Sequence, residues 1–400
     1  MPDGRARTAR WAVAAMFFAN GFVMGAWAPQ IPLLMPRHQV TESDLGLLLL
    51  VLGAGAVAAM LFAGRLIDRF GSRAVLTVFS LALIPVLPMV VFAPDLWLLA
   101  GFMAVFGAMA GCMDVAMNAQ AVEIERRLQR AIMSSSHGFW SLGGFFGGSA
   151  GAWVIATRGS EVQALATAAI VAAIVLAAMP FLMPSAAAAA ARRSDGAAAR
   201  PPRLFPRDLH LWLLGFLALV AMVPEGAVLD WAAIYLQQEL GADAFVSGLG
   251  FAGFAGTMAV MRFAGDAVRN RFGAVRTLRI SGLLGAAGLM AAALAPVDWL
   301  AITGFALAGL GVANMVPILF SAAGNHPRLP AASAIAVVTM VGYCGILIAP
   351  TGIGFLAEAV GFRPIYAAMS VLLVIVALLA ARAADADALR EAEAAGPQPG

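Results

Sequence analysis

Long apolar stretches separated by short polar segments make up most of this chain. A helix needs about 20 apolar residues to cross about 30 Å of hydrocarbon. Twelve stretches of that kind lie at approximately 11–35, 45–65, 74–93, 96–121, 132–157, 162–183, 209–238, 245–264, 275–295, 298–320, 331–356 and 362–382. The pattern therefore predicts an all-α membrane protein whose twelve transmembrane helices form two pseudo-symmetric six-helix bundles.

The same pattern divides the chain into four parts. Residues 1–183 are predicted to form the first bundle and residues 209–382 the second. Residues 184–208 are rich in alanine, proline and arginine, and we expect a cytoplasmic linker there. Residues 383–400 are expected to be a disordered cytoplasmic tail. The first apolar stretch is too long for a signal peptide, so it is interpreted as a membrane helix.

Composition and charge placement support a multi-pass membrane protein. Hydrophobic residues make up 62% of the chain and charged residues 12%, against about 45–50% and about 25% in soluble domains. All 25 basic residues are arginine. With the N-terminus inside, 21 arginines fall on the cytoplasmic side, Arg262 lies within the eighth stretch, and only Arg37, Arg158 and Arg363 fall outside. We therefore expect both termini to be cytoplasmic, in a bacterial inner membrane, with no nucleic-acid partner.

No motif indicates an enzyme, a cofactor or a metal. Cys112 and Cys344 lie inside apolar stretches without metal-ligand spacing. The segment GGSAG at 147–151 matches a hydrolase pattern, but it lies within a predicted helix and not on a strand–turn–helix. A chain without lysine also has no phosphate-binding P-loop lysine.

Two loops repeat one pattern half a chain apart. GRLIDRFGSR at 64–73 follows the second apolar stretch, and GDAVRNRFGAVR at 265–276 follows the eighth. Their Arg-Phe-Gly triplets begin at Arg69 and Arg271, 202 residues apart. Internal repeats of this length are typical of secondary transporters.

The first of these loops resembles the conserved motif Gly-x-x-x-Asp-Arg-x-Gly-x-Arg of the major facilitator superfamily, and the resemblance covers residues 11–382. It implies the major facilitator fold, alternating access and a cytoplasmic gate. In the second loop Asn270 stands where Asp68 does, so a weaker lock is expected there, and either loop could act only as a topology anchor. The gate residues implied are Gly64, Asp68, Arg69, Gly71, Arg73, Asp266, Arg271 and, unless it pairs with an acid, Arg262.

A narrower resemblance lies in the fourth stretch. GCMDVAMN at 111–118 is similar to the acid-x-x-x-Asn signature of the fucose permease group and related sugar permeases, and SSHGFWS at 135–141 fits the same neighbourhood. The first stretch has no acid in GFVMGAWAPQ at 21–30, where the fucose permease group has one.

Ionisable groups inside the bilayer cost at least about 2.5–3.5 kcal/mol, so they are functional candidates. Asp114 lies mid-stretch, and Asn118 shares its helix face at i+4. Glu225 and Asp230 lie in the seventh stretch, roughly 140° apart on a regular helix. We predict that Asp114, with Glu225 or Asp230, couples proton movement to transport. The alternative for Asp114 is a structural hydrogen bond between helices.

Further polar and aromatic groups are suited to binding a hydroxylated solute, because an amide forms hydrogen bonds and a flat ring offers an apolar face. Trp27 could instead be an interface aromatic, and His137 either a proton shuttle or a structural histidine. The predicted substrate-binding residues are Asn20, Trp27, Gln30, Asn118, His137, Trp140, Asn314 and Tyr343.

Taken together, these features predict proton-coupled symport of a small sugar- or polyol-like solute. The alternatives are proton-driven export of drugs or metabolites and, in another class, a non-transporting sensor on a transporter scaffold. The expected partners are the solute, protons and the lipid bilayer. Glycine pairs four residues apart, such as Gly21 with Gly25 and Gly107 with Gly111, predict close helix approach within a monomer, a dimer interface being the alternative.

Overall fold

The computed structural model describes residues 4–39, 42–184, 206–242 and 244–387. Within these residues it contains fifteen α-helices and three short 3-10 helices, and no strand. The predicted all-α fold is confirmed. The linker expected at 184–208 lies mostly outside the described residues.

The helices of the first half follow the predicted stretches with two interruptions, the first of which is a 3-10 turn at Ala28–Gln30 inside the stretch predicted at 11–35. The stretch predicted at 74–93 is two helices, broken before Val86 by Ile84 and Pro85, because proline lacks the backbone N–H that would continue the helix. The helices are α1 (Gly4–Trp27), α2 (Ile31–His38), α3 (Glu42–Phe70), α4 (Ser72–Leu83), α5 (Val86–Val91), α6 (Leu96–Leu128), α7 (Met133–Arg158) and α8 (Ser160–Ala178).

The second half differs from expectation at two places. The stretch predicted at 298–320 is broken at Ala313 and Asn314. The tail is helical as far as Asp387, with Ala383 and Ala386 buried, so the disorder expected from residue 383 is wrong for 383–387. The helices are α9 (Leu209–Leu240), α10 (Ala244–Phe272), α11 (Ala274–Ala293), α12 (Asp298–Val312), α13 (Met315–Gly324), α14 (Ala331–Val360) and α15 (Phe362–Leu378), followed by a 3-10 segment (Ala380–Asp387).

Not every helical segment is equally apolar. Among the described residues, seven segments are long and apolar enough to cross a membrane, or eight if α15 and the bent segment after it form one span. The multi-pass character is therefore established, whereas the count of twelve crossings stays a prediction.

The repeated loops form the same corner in both halves. Gly71 joins α3 to α4 with φ of 86°, and Gly273 joins α10 to α11 with φ of 82°. Their N–H groups donate to the carbonyl groups of Ile67 and Arg269, at 2.7 and 2.8 Å. Glycine adopts this left-handed backbone without the steric cost of a Cβ atom, which explains why the motif requires it.

Two compact units make up the chain. The first comprises Met1–Ile132, Ser136–Pro206 and Arg328–Val337, and the second comprises Met133–Ser135, Arg207–Pro327 and Val338–Gly400. Two short segments are assigned away from their neighbours in sequence. The first turn of α7 belongs to the second unit, and the start of α14 belongs to the first.

Glycines allow close helix contacts in the first unit. A Cβ atom on Gly21 would overlap the carbonyl oxygen of Trp140, and one on Gly107 would overlap that of Leu52. These glycines therefore bring α1 against α7 and α6 against α3. The predicted close approach of helices is confirmed, and at these glycines it lies within one chain.

Candidate functional site

A chain of polar contacts links α1, α6 and α7 inside the first unit. The indole Nε1 of Trp140 donates to Oδ1 of Asn20 at 2.9 Å. The amide Nδ2 of Asn20 donates to the carbonyl oxygen of Ala110 at 3.3 Å. Asn20 is buried, so two of the predicted substrate-binding residues meet in an apolar setting.

A second group of contacts lies on the same helices. Nδ2 of Asn118 donates to the backbone carbonyl oxygen of Asp114 at 2.9 Å, and Oδ1 of Asn118 lies 3.1 Å from Nε2 of His137. The carbonyl oxygen only accepts, so the Asn118 amide oxygen must face the imidazole. That oxygen also only accepts, so Nε2 of His137 carries a proton. The ring of Phe17 packs against His137, 5.1 Å between centroids.

Asp114 is a carboxyl group in the interior of the first unit. The residue is 5% exposed. Among the residues that the structure describes, none forms an ion pair with its carboxyl group or donates a hydrogen bond to it. A buried carboxyl group without a partner is costly, which is typical of a functional position.

Trp27 and Gln30 both take part in helix packing. Trp27 is 4% exposed and meets the ring of Phe106 edge-on, so its indole packs inside the first unit. Nε2 of Gln30 donates to the backbone oxygen of Ser160 at 3.0 Å and to the side chain of Gln163. The amide nitrogen of Gln30 is thus engaged by α8.

The second unit contains a partly buried ion pair. Nη2 of Arg262 on α10 lies 3.0 Å from Oε2 of Glu225 on α9, and the two side chains are 7% and 32% exposed. Arg262 therefore pairs with an acid, one of the two roles that the sequence leaves open. Pro224 lies inside α9 next to the glutamate. Asp230, on the same helix, is exposed.

Asn314 and Tyr343 are the remaining predicted binding residues. Asn314 occupies the break between α12 and α13 and is 1% exposed. Its Oδ1 packs directly on Gly265 of α10, where a Cβ atom would overlap it. Tyr343 lies half-buried in α14.

The first loop contacts the start of α14 within the first unit. Oγ of Ser333 donates to Oδ2 of Asp68 at 2.6 Å, and Gly64 lies against the backbone of the same serine. Nη2 of Arg73 donates to the carbonyl oxygen of Pro180 at 3.4 Å. Arg69 lies over the ring of Phe70.

The second loop makes a different contact, within the second unit. Asp266 accepts hydrogen bonds from the backbone N–H groups of Ser134 and Ser135, at 2.9 and 3.0 Å, in the first turn of α7. Arg271 lies over the ring of Phe272. The expectation of a weaker lock considered only Asn270, whereas the carboxylate is supplied one turn earlier.

Two parts of this region were not predicted from the sequence. A cavity of about 380 Å³ beside Asp68 is lined by charged side chains of α6, among them Glu123, Arg126 and Arg127. Arg269 is buried and donates to Oγ of Ser321 at 2.9 Å and to the carbonyl oxygen of Ala386 at 2.6 Å. Both loops contain several arginines, so the sequence alone does not distinguish the contacts of one basic residue from those of another.

Each of the two units holds polar side chains among apolar helices, as many membrane transport proteins do. The family model of the Major Facilitator Superfamily matches residues 13–332 and 231–398. The chain belongs to the Major Facilitator Superfamily and is a transporter, not an enzyme.

Relatives and solved structures agree with this assignment. An uncharacterized MFS-type transporter of Yersinia pestis is 37% identical over 362 residues, covering 90% of this chain and 92% of the relative. The E. coli fucose:proton symporter FucP has a similar fold, with a TM-score of 0.71, 16% identity and coverage of 93% and 98%. The human organic anion transporter MFSD10 has a TM-score of 0.75 at 15% identity, with coverage of 94% and 100%.

Proposed function

We propose that this protein is a proton-coupled symporter of a small polar, sugar- or polyol-like solute. The observation that carries the proposal is Asp114, a buried carboxyl group without an ion-pair partner among the described residues, one helical turn from Asn118. The structural likeness to FucP, described as a fucose:proton symporter, supports the same class of transport.

Asp114 supplies the proton site. A carboxyl group that binds a proton from one side and releases it to the other couples solute movement to the proton gradient. His137 and Asn118 form the neighbouring polar contact. They can pass a proton on or respond to its binding at Asp114. One proton gains about 2.3 kcal/mol per 100 mV, enough for roughly 40- to 50-fold accumulation from the electrical part alone.

Asn20 and Trp140 supply the solute site. The amide of asparagine can donate to and accept from hydroxyl groups, and the indole offers a flat apolar face. Their mutual hydrogen bond fixes both side chains before the solute arrives. A pre-organised site loses less side-chain entropy on binding than one that must first be ordered.

In the second unit, the ion pair of Glu225 and Arg262 is the polar group that corresponds to these residues of the first unit. Alternating access then exposes the two polar groups to one side of the membrane at a time. We further propose that the chain works as a monomer in a bacterial inner membrane with both termini cytoplasmic, which the arginine distribution supports.

The test is solute-stimulated proton uptake in proteoliposomes, with sugars, polyols, organic anions and cationic drugs as solutes. We expect Asp114→Asn to lose gradient-driven accumulation at least tenfold while solute exchange at equal concentrations continues. Glu161→Gln is the matched control, because that carboxylate is exposed and pairs with Arg37. Unchanged pH dependence in Asp114→Asn would sink the proton assignment, and inward-directed proton flux that empties the vesicles of solute would favour the exporter.

A further inference from the structure

Three potential metal ligands meet at one end of the second unit. Asp208 precedes α9, His210 lies in its first turn, and His326 follows α13. One ligand atom from each lies within 4.8 Å of the other two. All three belong to Arg207–Pro327, so the cluster depends on the fold of one unit alone.

The tautomer of His210 is fixed by a carbonyl group. Its Nε2 lies 2.7 Å from the backbone oxygen of Arg382. A carbonyl oxygen only accepts, so Nε2 carries the proton and Nδ1 of a neutral ring keeps its lone pair. A histidine whose second nitrogen donates to a carbonyl group is the usual arrangement of a metal-ligating imidazole.

The Nδ1 atom of His210 faces a carboxylate. Oδ2 of Asp385, in the 3-10 segment after α15, lies 3.8 Å from it. That oxygen is buried, and no donor among the described residues reaches it. A nitrogen lone pair opposite a carboxylate oxygen is repulsive unless a proton or a metal cation lies between them.

The second nitrogen–oxygen pair is more deeply buried. Nε2 of His326 lies 3.5 Å from Oδ2 of Asp208, and the histidine side chain is 2% exposed. Oδ1 of Asp208 accepts from the backbone N–H groups of His210 and Leu211, at 2.9 and 3.4 Å. This cap holds the carboxylate so that Oδ2 faces the imidazole.

We infer that this cluster binds a divalent transition-metal ion of the zinc type, with Asp208, His210 and His326 as ligands and Asp385 as the fourth. Ligand atoms around a tetrahedral Zn²⁺ are about 3.4 Å apart. The two nitrogen–oxygen distances, 3.5 and 3.8 Å, are close to that value. Imidazole nitrogen with carboxylate oxygen is a ligand set that zinc and its neighbours accept.

The ion would join three chain segments that are distant in sequence. It would tie the end of the linker and the loop after α13 to the segment Ala380–Asp387, which already contacts α10 through Arg269. Metal binding would thus stabilise the chain after α15 in its folded arrangement. The competing explanation is a set of protonated histidines paired with the two aspartates without any metal.

Isothermal titration of the purified full chain with Zn²⁺ tests the site, together with X-ray absorption of the loaded protein. The preparation carries no polyhistidine tag and is first treated with a chelator. We expect one equivalent to bind through nitrogen and oxygen ligands. His210→Gln, His326→Gln and Asp385→Asn should each weaken binding at least tenfold, and His38→Gln, which lies outside the cluster, should leave it unchanged.

Two results would overturn the inference: no Zn²⁺ binding to the full chain, or the same affinity in the His210→Gln and His326→Gln variants. The metal-free melting temperature of each variant is the control for folding. A variant that melts as the parent does without metal, and that Zn²⁺ stabilises less than the parent, supports the site. None of these measurements uses transport. A failure of the metal site therefore leaves the proposed symport untouched, and a failure of the symport leaves the metal site untouched.

Discussion

The ion pair between Glu225 and Arg262 makes a directional prediction. Removing the glutamate as Glu225→Gln takes this carboxylate away from the Arg262 guanidinium, which is 7% exposed. Removing the arginine as Arg262→Met leaves Glu225, which is 32% exposed and can bind a proton. A guanidinium group cannot lose its proton in a protein. Glu225→Gln should therefore be the more destabilising of the two.

The magnitude follows from distance and burial. Two unit charges 3.0 Å apart attract by about 5.5 kcal/mol at an effective dielectric constant of 20. Loss of one partner from a buried pair costs about 3–5 kcal/mol, most of it from the charge left behind. Because one side chain is a third exposed, we expect about 3 kcal/mol for Glu225→Gln and about half of that for Arg262→Met. The double variant, which leaves no charge, should regain most of the loss.

Thermal unfolding in detergent measures these differences. By the scaling of soluble domains of 150–250 residues, about 3 kcal/mol lowers the melting temperature by about 6–12 °C. Arg363→Gln is the control, because the Arg363–Glu239 pair is more exposed, at 38% and 22%, and should contribute less than about 1 kcal/mol. Equal losses in both single variants, or no recovery in the double variant, would refute the reasoning.

Three further substitutions test packing and hydrogen bonding. Gly265→Ala should lower the melting temperature, because its Cβ atom overlaps Asn314, and a second change, Asn314→Ala, should restore part of it. Trp140→Phe keeps an aromatic ring but removes the donor to Asn20, so it should cost about 1–3 kcal/mol and weaken solute binding in an equilibrium binding assay. Asp266→Ala removes the acceptor for two N–H groups of α7 and should cost about 0.5–2 kcal/mol in the same thermal assay, with Asp266→Asn less affected.

The helices could be predicted from the sequence because a membrane helix is long and its apolar content is dense. The breaks within them could not. Ile84–Pro85 and Ala313–Asn314 interrupt stretches that remain apolar on both sides, so hydropathy alone passes over them. At this second break, Asn314 packs against Gly265, a residue 49 positions earlier. The apolar pattern does not indicate that contact.

The site was predictable as a set of residue types and not as a set of contacts. A charged side chain inside a bilayer is rare because its free-energy cost is high, and this identifies Asp114 and Glu225 as candidates. The hydrogen bond between Asn20 and Trp140 joins residues 120 positions apart, and no local spacing indicates it. The cluster around His326 was missed for the same reason, since its ligands come from three separate segments.

In both repeated loops a carboxylate accepts hydrogen bonds, but it comes from different positions of the motif. In the first loop, Asp68 accepts from the hydroxyl group of Ser333. In the second, the aligned position is Asn270, yet Asp266 accepts from two backbone N–H groups of a helix N-terminus. Hydrogen bonds to a carboxylate are roughly twice as strong as neutral ones, and a helix N-terminus carries partial positive charge that favours them further. A motif read only at its aligned positions therefore misses the carboxylate that the second loop supplies at Asp266.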